Sequence, residues 1–347
     1  MVGRFDEFFR DRGLYSLRVA EVVGETADAS SFILSVPDGL SEKYAYRAGQ
    51  FLTFRVELDG VAHLRSYSMS SSPLVDERMR VTVKRVAGGV VSNWMNDALA
   101  PGDELVATVP SGTFVADGGA GDIVAFAAGS GITPVLSIIK TALAGSARRV
   151  RLLYANRDRD SVIFGTELAD LKERYEDRIA LAFHYDCDSG YLEQEAVRAF
   201  LGTGGDAVFF VCGPNPFMDH VQGVLTGAGI HESRVHIERF THASDAGADQ
   251  EPGGGTPQVS VSIRLGRQTV RGEPRPGSTI LQAARALGLK PPSSCESGSC
   301  ATCMARVVEG TAVMRNNEAL TPEEVDDGWV LTCQAVPTSP SVRVVYA

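Results

Sequence analysis

The run CESGSCATC places Cys295, Cys300 and Cys303 within nine residues, and a fourth thiol, Cys333, follows after 29 intervening positions. A chain with six cysteines that spends four of them this way has organised one segment around whatever those thiols hold. Three occupants are open: a disulfide pair, a zinc ion, or iron with sulfide. The first 15 residues, MVGRFDEFFRDRGLY, are charged throughout and lack the apolar stretch of a secretory leader. No later run approaches the ~18 uninterrupted apolar residues of a membrane span. The expectation is a soluble, cytoplasmic protein with no membrane partner. In a reducing cytosol clustered cysteines are metal ligands or catalytic groups rather than disulfides.

Zinc sites usually pair their ligands as two C-x2–4-C knuckles, and Cys333 has no second cysteine beside it. A C-x4-C-x2-C run with a remote fourth cysteine instead suits a flat [2Fe–2S] cluster, which takes three thiolates from one tight loop and one from a separate segment. Gly298 and the small Ser297, Ser299 and Ala301 allow backbone N–H groups close to the sulfurs. Zinc remains the bland alternative. Over residues 258–347 the pattern resembles a plant-type ferredoxin, which implies an α+β β-grasp fold and Cys295, Cys300, Cys303 and Cys333 as metal ligands. Cys187, at the end of an expected strand, reads as an inert small residue.

At 347 residues the chain exceeds one typical core, so two or three domains are expected. Up to residue 117, short β-branched or alternating runs (YSLRVAEVV, SSFILSV, FLTFRVEL, HLRSYSMS, MRVTVKRV, ELVATVP) are separated by Gly, Pro and Asp, as in a small antiparallel barrel. Over 118–242 strands alternate with helical stretches, the rhythm of a parallel α/β sheet that binds ligands at the carboxyl ends of its strands. Residues 243–257 have a linker composition. The third domain occupies 258–347, with VSVSIRL and TVRGEP as a hairpin and STILQAARALGL as a helix presenting Ile280, Leu281, Ala284 and Leu287 on one face. The net charge of −10, without a Lys/Arg stripe, excludes nucleic acid as a partner.

Five short stretches carry further chemistry. RSYSMSSSP ends a strand with an Arg, an aromatic and several hydroxyls, the groups a flavin needs, although such a strand end is more often an amphipathic edge. VKRVAGGVVSNWMND sets Gly88 and Gly89 before a helix beginning near Ser92, offering unpaired N–H groups to a pyrophosphate. AAGSGITPV is not G-x-G-x-x-G, yet Gly129 and Gly131 permit close backbone approach and Pro134 suits a first helical turn. VCGPNPFMD and VHIERF close the series; alone, Cys212 would read as a buried structural thiol.

In this order the stretches resemble the ferredoxin–NADP reductase superfamily. The resemblance implies FAD, with Arg65 on the flavin phosphate, Tyr67 against the isoalloxazine, Ser68 near N5, Val91 and Ser92 at the pyrophosphate, Lys84 and Arg85 beside the ribityl or adenosine half, and Ser66 and Gly89 among the cofactor-binding residues. It implies a pyridine nucleotide on Gly129, Ser130, Gly131, Thr133 and Pro134, with Cys212 near nicotinamide C4, Gly213 and Pro214 shaping that pocket, and Glu238 and Phe240 at the flavin edge. Ser68, Cys212 and Glu238 would form the catalytic set. The domain order is similar to oxygenase reductase components of the 3-ketosteroid 9α-hydroxylase and phenylacetyl-CoA epoxidase type, implying a separate oxygenase or hydroxylase chain as electron acceptor. A redox sensor that turns nothing over is the alternative from another class. Asn156 and Arg157, after the second strand of the α/β domain, are expected at the adenosine ribose. Arg157 and Arg159 could hold the 2′-phosphate of NADPH, while Asp158 and Asp160 repel it and could accept from a free 2′-hydroxyl, which favours NADH.

Overall fold

The computed structural model describes residues 14–116, 119–202, 205–240, 259–293, 296, 298, 300–317 and 319–346. Cys295, Ser297, Ser299 and the expected linker at 243–257 lie outside the described residues. Two compact units result, one formed by Tyr15–His63 with Tyr67–Phe240 and holding two sheets, the other containing the C-terminal sheet. No helix among the described residues is long and apolar enough to cross a membrane.

The first sheet contains β1 (Tyr15–Thr26), β2 (Ala29–Ser35), β3 (Phe51–Leu58), β4 (Val61–Ser68), β5 (Met79–Lys84) and β6 (Glu104–Ala107) in the order β4-β3-β6-β1-β2-β5. Its two edge strands meet: just past β4, Met69 bridges Val81 of β5, and Ser70 N–H donates to the Arg80 carbonyl at 2.8 Å. That contact closes the sheet into the expected barrel and removes both edges. Alternation sends Leu17, Val19, Phe32, Leu34, Leu52, Phe54, Val81 and Val83 inward to one core. Helix α1 (Val90–Ala98) caps the barrel with Val91 and Met95.

The second sheet is parallel, with β7 (Ile123–Ala128), β8 (Val150–Asn156), β9 (Ile179–Tyr185), β10 (Val208–Gly213) and β11 (Val235–Arg239) in the order β11-β10-β7-β8-β9. The chain therefore reverses direction of addition after β9, and the switch point lies between β7 and β10, where such sheets bind ligands. The connections contain α2 (Ile132–Gly145), α3 (Gly165–Arg174), α4 (Asp186–Ser189), α5 (Gln194–Phe200) and α6 (Asn215–Gly227). Helix α2 is buried nearly all round because it packs between this sheet and the barrel. Its Ser137 hydroxyl donates to the Ser71 carbonyl at 2.5 Å, and Thr141 pairs with Ser72 at 2.8 Å.

The C-terminal sheet orders β13 (Gln268–Gly272), β12 (Ser260–Leu265), β18 (Ser341–Tyr346), β14 (Met304–Glu309) and β16 (Trp329–Leu331), and β15 (Ala312–Met314) pairs with β17 (Ala335–Pro337). The parallel β12–β18 pairing beside antiparallel β12–β13 and β14–β18 defines the β-grasp arrangement. Helix α7 (Ile280–Ala286) starts at Thr279, whose hydroxyl and the Gln282 side chain form a capping box, and it buries Ile280, Leu281, Ala283 and Ala284. A second capping box at Thr321 starts the short α8 (Pro322–Asp326).

Candidate active site and cluster loop

The carboxyl ends of β10 and β11 set Cys212 level with Glu238, and Cys212 is also level with Ala127 of β7. The Ser68 hydroxyl, at the end of barrel strand β4, donates to Glu238 Oε2 at 2.8 Å. Three residues expected to be catalytic are therefore assembled from two sheets and from positions up to 170 apart in sequence. Burial pushes the fully buried Cys212 thiol well above its usual range, and the Glu238 carboxylate pushes it further the same way, so the thiol is held protonated. Phe240 packs against the core cluster that contains Cys212.

On the barrel side, Arg65 and Ser66 are half-buried on β4, with Arg65 Nη1 donating to the Leu64 carbonyl at 2.7 Å, and the Tyr67 ring lies 6.1 Å from Phe54. The side chains of Val91 and Ser92 serve the barrel: Val91 is core, and Ser92 Oγ accepts from Val86 N–H at 3.1 Å. Asn93 Nδ2 donates to the carbonyls of Gly89 and Val86 at 2.7 and 3.1 Å, which fixes the Gly turn on the helix. The helix begins at Val90 rather than near Ser92, and its N-cap Gly89 supplies no side-chain cap, so its first N–H groups remain for an anion. A Cβ at Gly89 would lie 2.6 Å from Ser92 Oγ and would disrupt this cradle. That uncapped nine-residue helix fits a flavin pyrophosphate.

In the α/β sheet, Gly129 takes a φ of +51°, and its carbonyl accepts from the Tyr154 hydroxyl at 2.9 Å. Gly131 has an ordinary helical φ but no room: a Cβ would lie 2.1 Å from the Cys212 carbonyl oxygen. Gly213 is crowded in the same way by Ala128 and Phe217, each 2.9 Å from an added Cβ. These two glycines let the turn after β7 lie against the end of β10, a packing reason that the motif alone does not reveal. Thr133 Oγ1 donates to the Ser130 carbonyl at 3.0 Å, Pro134 occupies the first turn of α2, and Pro214 caps α6. Both polar atoms of the buried Asn156 side chain lack a hydrogen-bond partner of good geometry. A buried amide that has the Tyr154 hydroxyl as a polar neighbour, and which makes no well-formed hydrogen bond, fits a nucleotide at the ligand-binding end of β8.

Beyond β8, Arg157 Nη2 lies 3.3 Å from Asp28 Oδ2, and Lys84 Nζ lies 3.7 Å from the same oxygen. Asp158, expected to be available to a ribose hydroxyl, spends its Oδ1 on Ser161 N–H at 2.9 Å as the cap of a single 3-10 turn.

In the C-terminal unit Cys300 is half-buried while Cys303 and Cys333 are buried, and Cys333 N–H points at Cys303 Sγ at 3.4 Å. Glu296 (φ +50°), Gly298 (+89°) and Ala301 (+55°) all take the left-handed backbone conformation. A Cβ on Gly298 would approach the Asn316 carbonyl to 2.9 Å, so this glycine answers a close approach as well as a turn. The loop is clamped by Arg285 of α7, whose Nη2 reaches Glu296 Oε1 at 2.5 Å, and by Gln334 Nε2 on the Glu296 carbonyl at 2.6 Å. Thr332 is fully buried; it donates to the Cys303 carbonyl at 2.7 Å and accepts from the Tyr346 hydroxyl at 2.9 Å. Cys303 and Cys333, brought side by side here, supply the thiol chemistry that an iron–sulfur cluster takes, although among the described residues no group of three or more ligating side chains is gathered closely enough to hold a metal ion. Arg285, Gln334 and Thr332 were not evident from the sequence, except that Thr332 immediately precedes Cys333, one of the expected ligands.

Barrel, nucleotide sheet and cysteine loop together define an FAD- and pyridine-nucleotide-dependent oxidoreductase with a [2Fe–2S] domain. Residues 16–115 match the oxidoreductase FAD-binding domain family, 126–223 the oxidoreductase NAD-binding domain family and 263–338 the 2Fe-2S iron-sulfur cluster binding domain family. The chain is 38% identical to the ferredoxin reductase component of 3-ketosteroid-9-alpha-monooxygenase from Rhodococcus rhodochrous, over 95% of this chain and 96% of that one. It is 35% identical to one of the subunits of the 1,2-phenylacetyl-CoA epoxidase from Escherichia coli, over 96% and 97%. The phthalate dioxygenase reductase structure shares the fold, with a TM-score of 0.62 and 24% identity over 97% of this chain and 99% of that one. The chain belongs to the family of three-domain reductases that these relatives represent, in which electrons run from NAD(P)H through FAD to a [2Fe–2S] cluster.

Proposed function

We propose that this chain is the reductase component of a multicomponent oxygenase, taking electrons from NADH and delivering them to a separate oxygenase or hydroxylase chain. Relatives named for a steroid monooxygenase, an acyl-CoA epoxidase and a glycine betaine monooxygenase are 38%, 35% and 30% identical to it. One reductase architecture serving such different names assigns the oxidised substrate to the partner. FAD, when bound, exchanges the two electrons of a nicotinamide for the single electrons a cluster accepts. The observation that carries the reading is the Ser68–Glu238 hydrogen bond beside Cys212, which ties a flavin-barrel strand end to the nucleotide-binding ends of β10 and β11.

In this reading the modules are 1–117, 118–242 and 258–347, joined by 243–257. Arg65, Ser66, Tyr67 and Lys84 face the flavin, and the N–H groups of Gly89, Val91 and Ser92 hold its pyrophosphate. Gly129, Ser130, Gly131, Thr133, Pro134, Asn156 and Arg157 form the nucleotide floor, with Gly213, Pro214 and Phe240 around the nicotinamide. Ser68 positions the Glu238 carboxylate, and the neutral Cys212 thiol keeps charge away from the nicotinamide carbon. Cys295, Cys300, Cys303 and Cys333 hold the cluster.

The test is anaerobic addition of NADH to the purified protein, followed by cytochrome c under turnover. Flavin and cluster absorbance should both bleach, and both should cycle in sustained cytochrome c reduction. Bleaching without turnover would replace the reductase reading with a sensor.

A further inference from the structure

We propose that Asp188 and Asp28 set the coenzyme preference of this reductase, by pairing off the two arginines that would otherwise receive the 2′-phosphate of NADPH. The inference rests on the NADH reading above and assigns it to residues outside the turn where sequence reasoning looked.

In a sheet of this topology the adenosine ribose lies beyond the carboxyl end of the second strand, here β8. The cations in that place are Arg157 and Arg159, both largely exposed. A 2′-phosphate binds through bidentate guanidinium contacts and needs the fork free. Arg159 is not free: its Nη2 lies 2.8 Å from Asp188 Oδ2, and its guanidinium stacks 4.4 Å above the Tyr185 ring. The pairing holds the Arg159 charge more firmly and keeps Asp188 ionised. The backbone holds both partners in place, because Cys187 N–H donates to the Arg157 carbonyl at 2.9 Å and so fastens α4 to the turn after β8.

Arg157 is engaged from the other side. Asp28 sits in the tight β1–β2 turn of the flavin barrel, where its backbone carbonyl accepts from Arg85 N–H at 2.7 Å and its Oδ1 accepts from Thr26 Oγ1 at 2.9 Å. Its Oδ2 faces Arg157 and Lys84 together. A 2′-phosphate would have to displace both carboxylates and then remain beside Asp28 and Asp188. A neutral 2′-hydroxyl meets no such opposition.

The experiment compares kcat/KM for NADPH and NADH, with ferricyanide as acceptor, in the wild-type holoprotein, Asp188→Asn, Asp28→Asn and Asp188→Asn/Arg159→Ala. Asp188→Asn should raise the NADPH/NADH ratio roughly tenfold, and Asp28→Asn should raise it severalfold. Adding Arg159→Ala should return the Asp188→Asn ratio to the wild-type value, which a merely structural effect of Asp188 would not do. Exposed pairs contribute little to stability, so the variants should fold. A wild type that prefers NADPH would overturn the underlying NADH reading. A wild type that prefers NADH, with ratios unmoved in both single variants, would overturn the assignment to Asp188 and Asp28 alone.

Discussion

At the scale of single residues, Cys212 shows how position determines chemistry. A thiol on a sheet strand is commonly just core, and Cys212 does contribute to the core cluster of the nucleotide unit. What distinguishes it is its level with Glu238, which Ser68 holds by a hydrogen bond. Cys212→Ala should slow NADH-dependent flavin reduction in stopped flow by roughly tenfold while changing nucleotide affinity less, since misplacing a reacting carbon costs rate before binding. An unchanged rate would leave Cys212 a packing residue. Its protonation gives a second readout. A folded pKa raised above the unfolded value of about 8.5 means the folded chain keeps a proton that the unfolded chain gives up. The resulting stability is full below the unfolded value and is lost as pH rises above it. Denaturation midpoints of the wild type should therefore fall on the alkaline side more steeply than those of Cys212→Ala.

At the scale of elements, strands and helices follow from local periodicity, but the contacts between them do not. The run FLTFRVEL alternates toward one core and forms β3 over the same residues, and Thr279 with Gln282 announces α7 by a capping box. By contrast, the three later hydroxyls of RSYSMSSSP, to which the sequence assigns no role, join the barrel to itself or to α2. Ser70 pairs with Thr82 at 2.7 Å, Ser71 with Tyr46 at 2.6 Å and Ser72 with Thr141 at 2.8 Å, across as many as 69 positions. No local spacing encodes those partners. The same holds for the half-buried ionic group that links barrel to nucleotide sheet, where Lys140 meets Asp76 at 2.7 Å and also Glu167, and Arg80 meets Glu167 at 2.8 Å. In the sequence each is one more charged residue. Lys140→Met would leave the Asp76 and Glu167 carboxylates without their shared cation, at a cost of about 2 kcal/mol given their partial exposure. Urea denaturation followed by flavin release measures it, and a loss below about 0.5 kcal/mol would mean that solvent already screens the group.

At the scale of the whole molecule, the [2Fe–2S] domain was legible because the chemistry of a cluster fixes the spacing of its cysteines, while the contacts around them were not, because they come from α7, β18 and the segment around Cys333. Arg285, Tyr346, Thr332 and Gln334 converge on the loop from positions 11 to 38 residues away from their partners, through Glu296 and Cys303. The C-terminal sheet nonetheless has its own core around Val261, Ile263, Ile280, Ala284, Val342 and Val344, with Cys303 and Cys333 in an adjoining cluster. Among the described residues, the core clusters of the flavin and nucleotide sheets contain none from the C-terminal sheet. Loss of one cluster ligand should therefore stop electron flow at a defined point. Cys333→Ser should lose the cluster and with it cytochrome c reduction, yet retain bound flavin and NADH-dependent ferricyanide reduction within about twofold of wild type. Metal content, flavin content and the two activities, measured on one preparation, check this. Equal loss of both activities would show that the cluster domain supports the fold of the flavin unit, and that the separate cores do not act as separate modules.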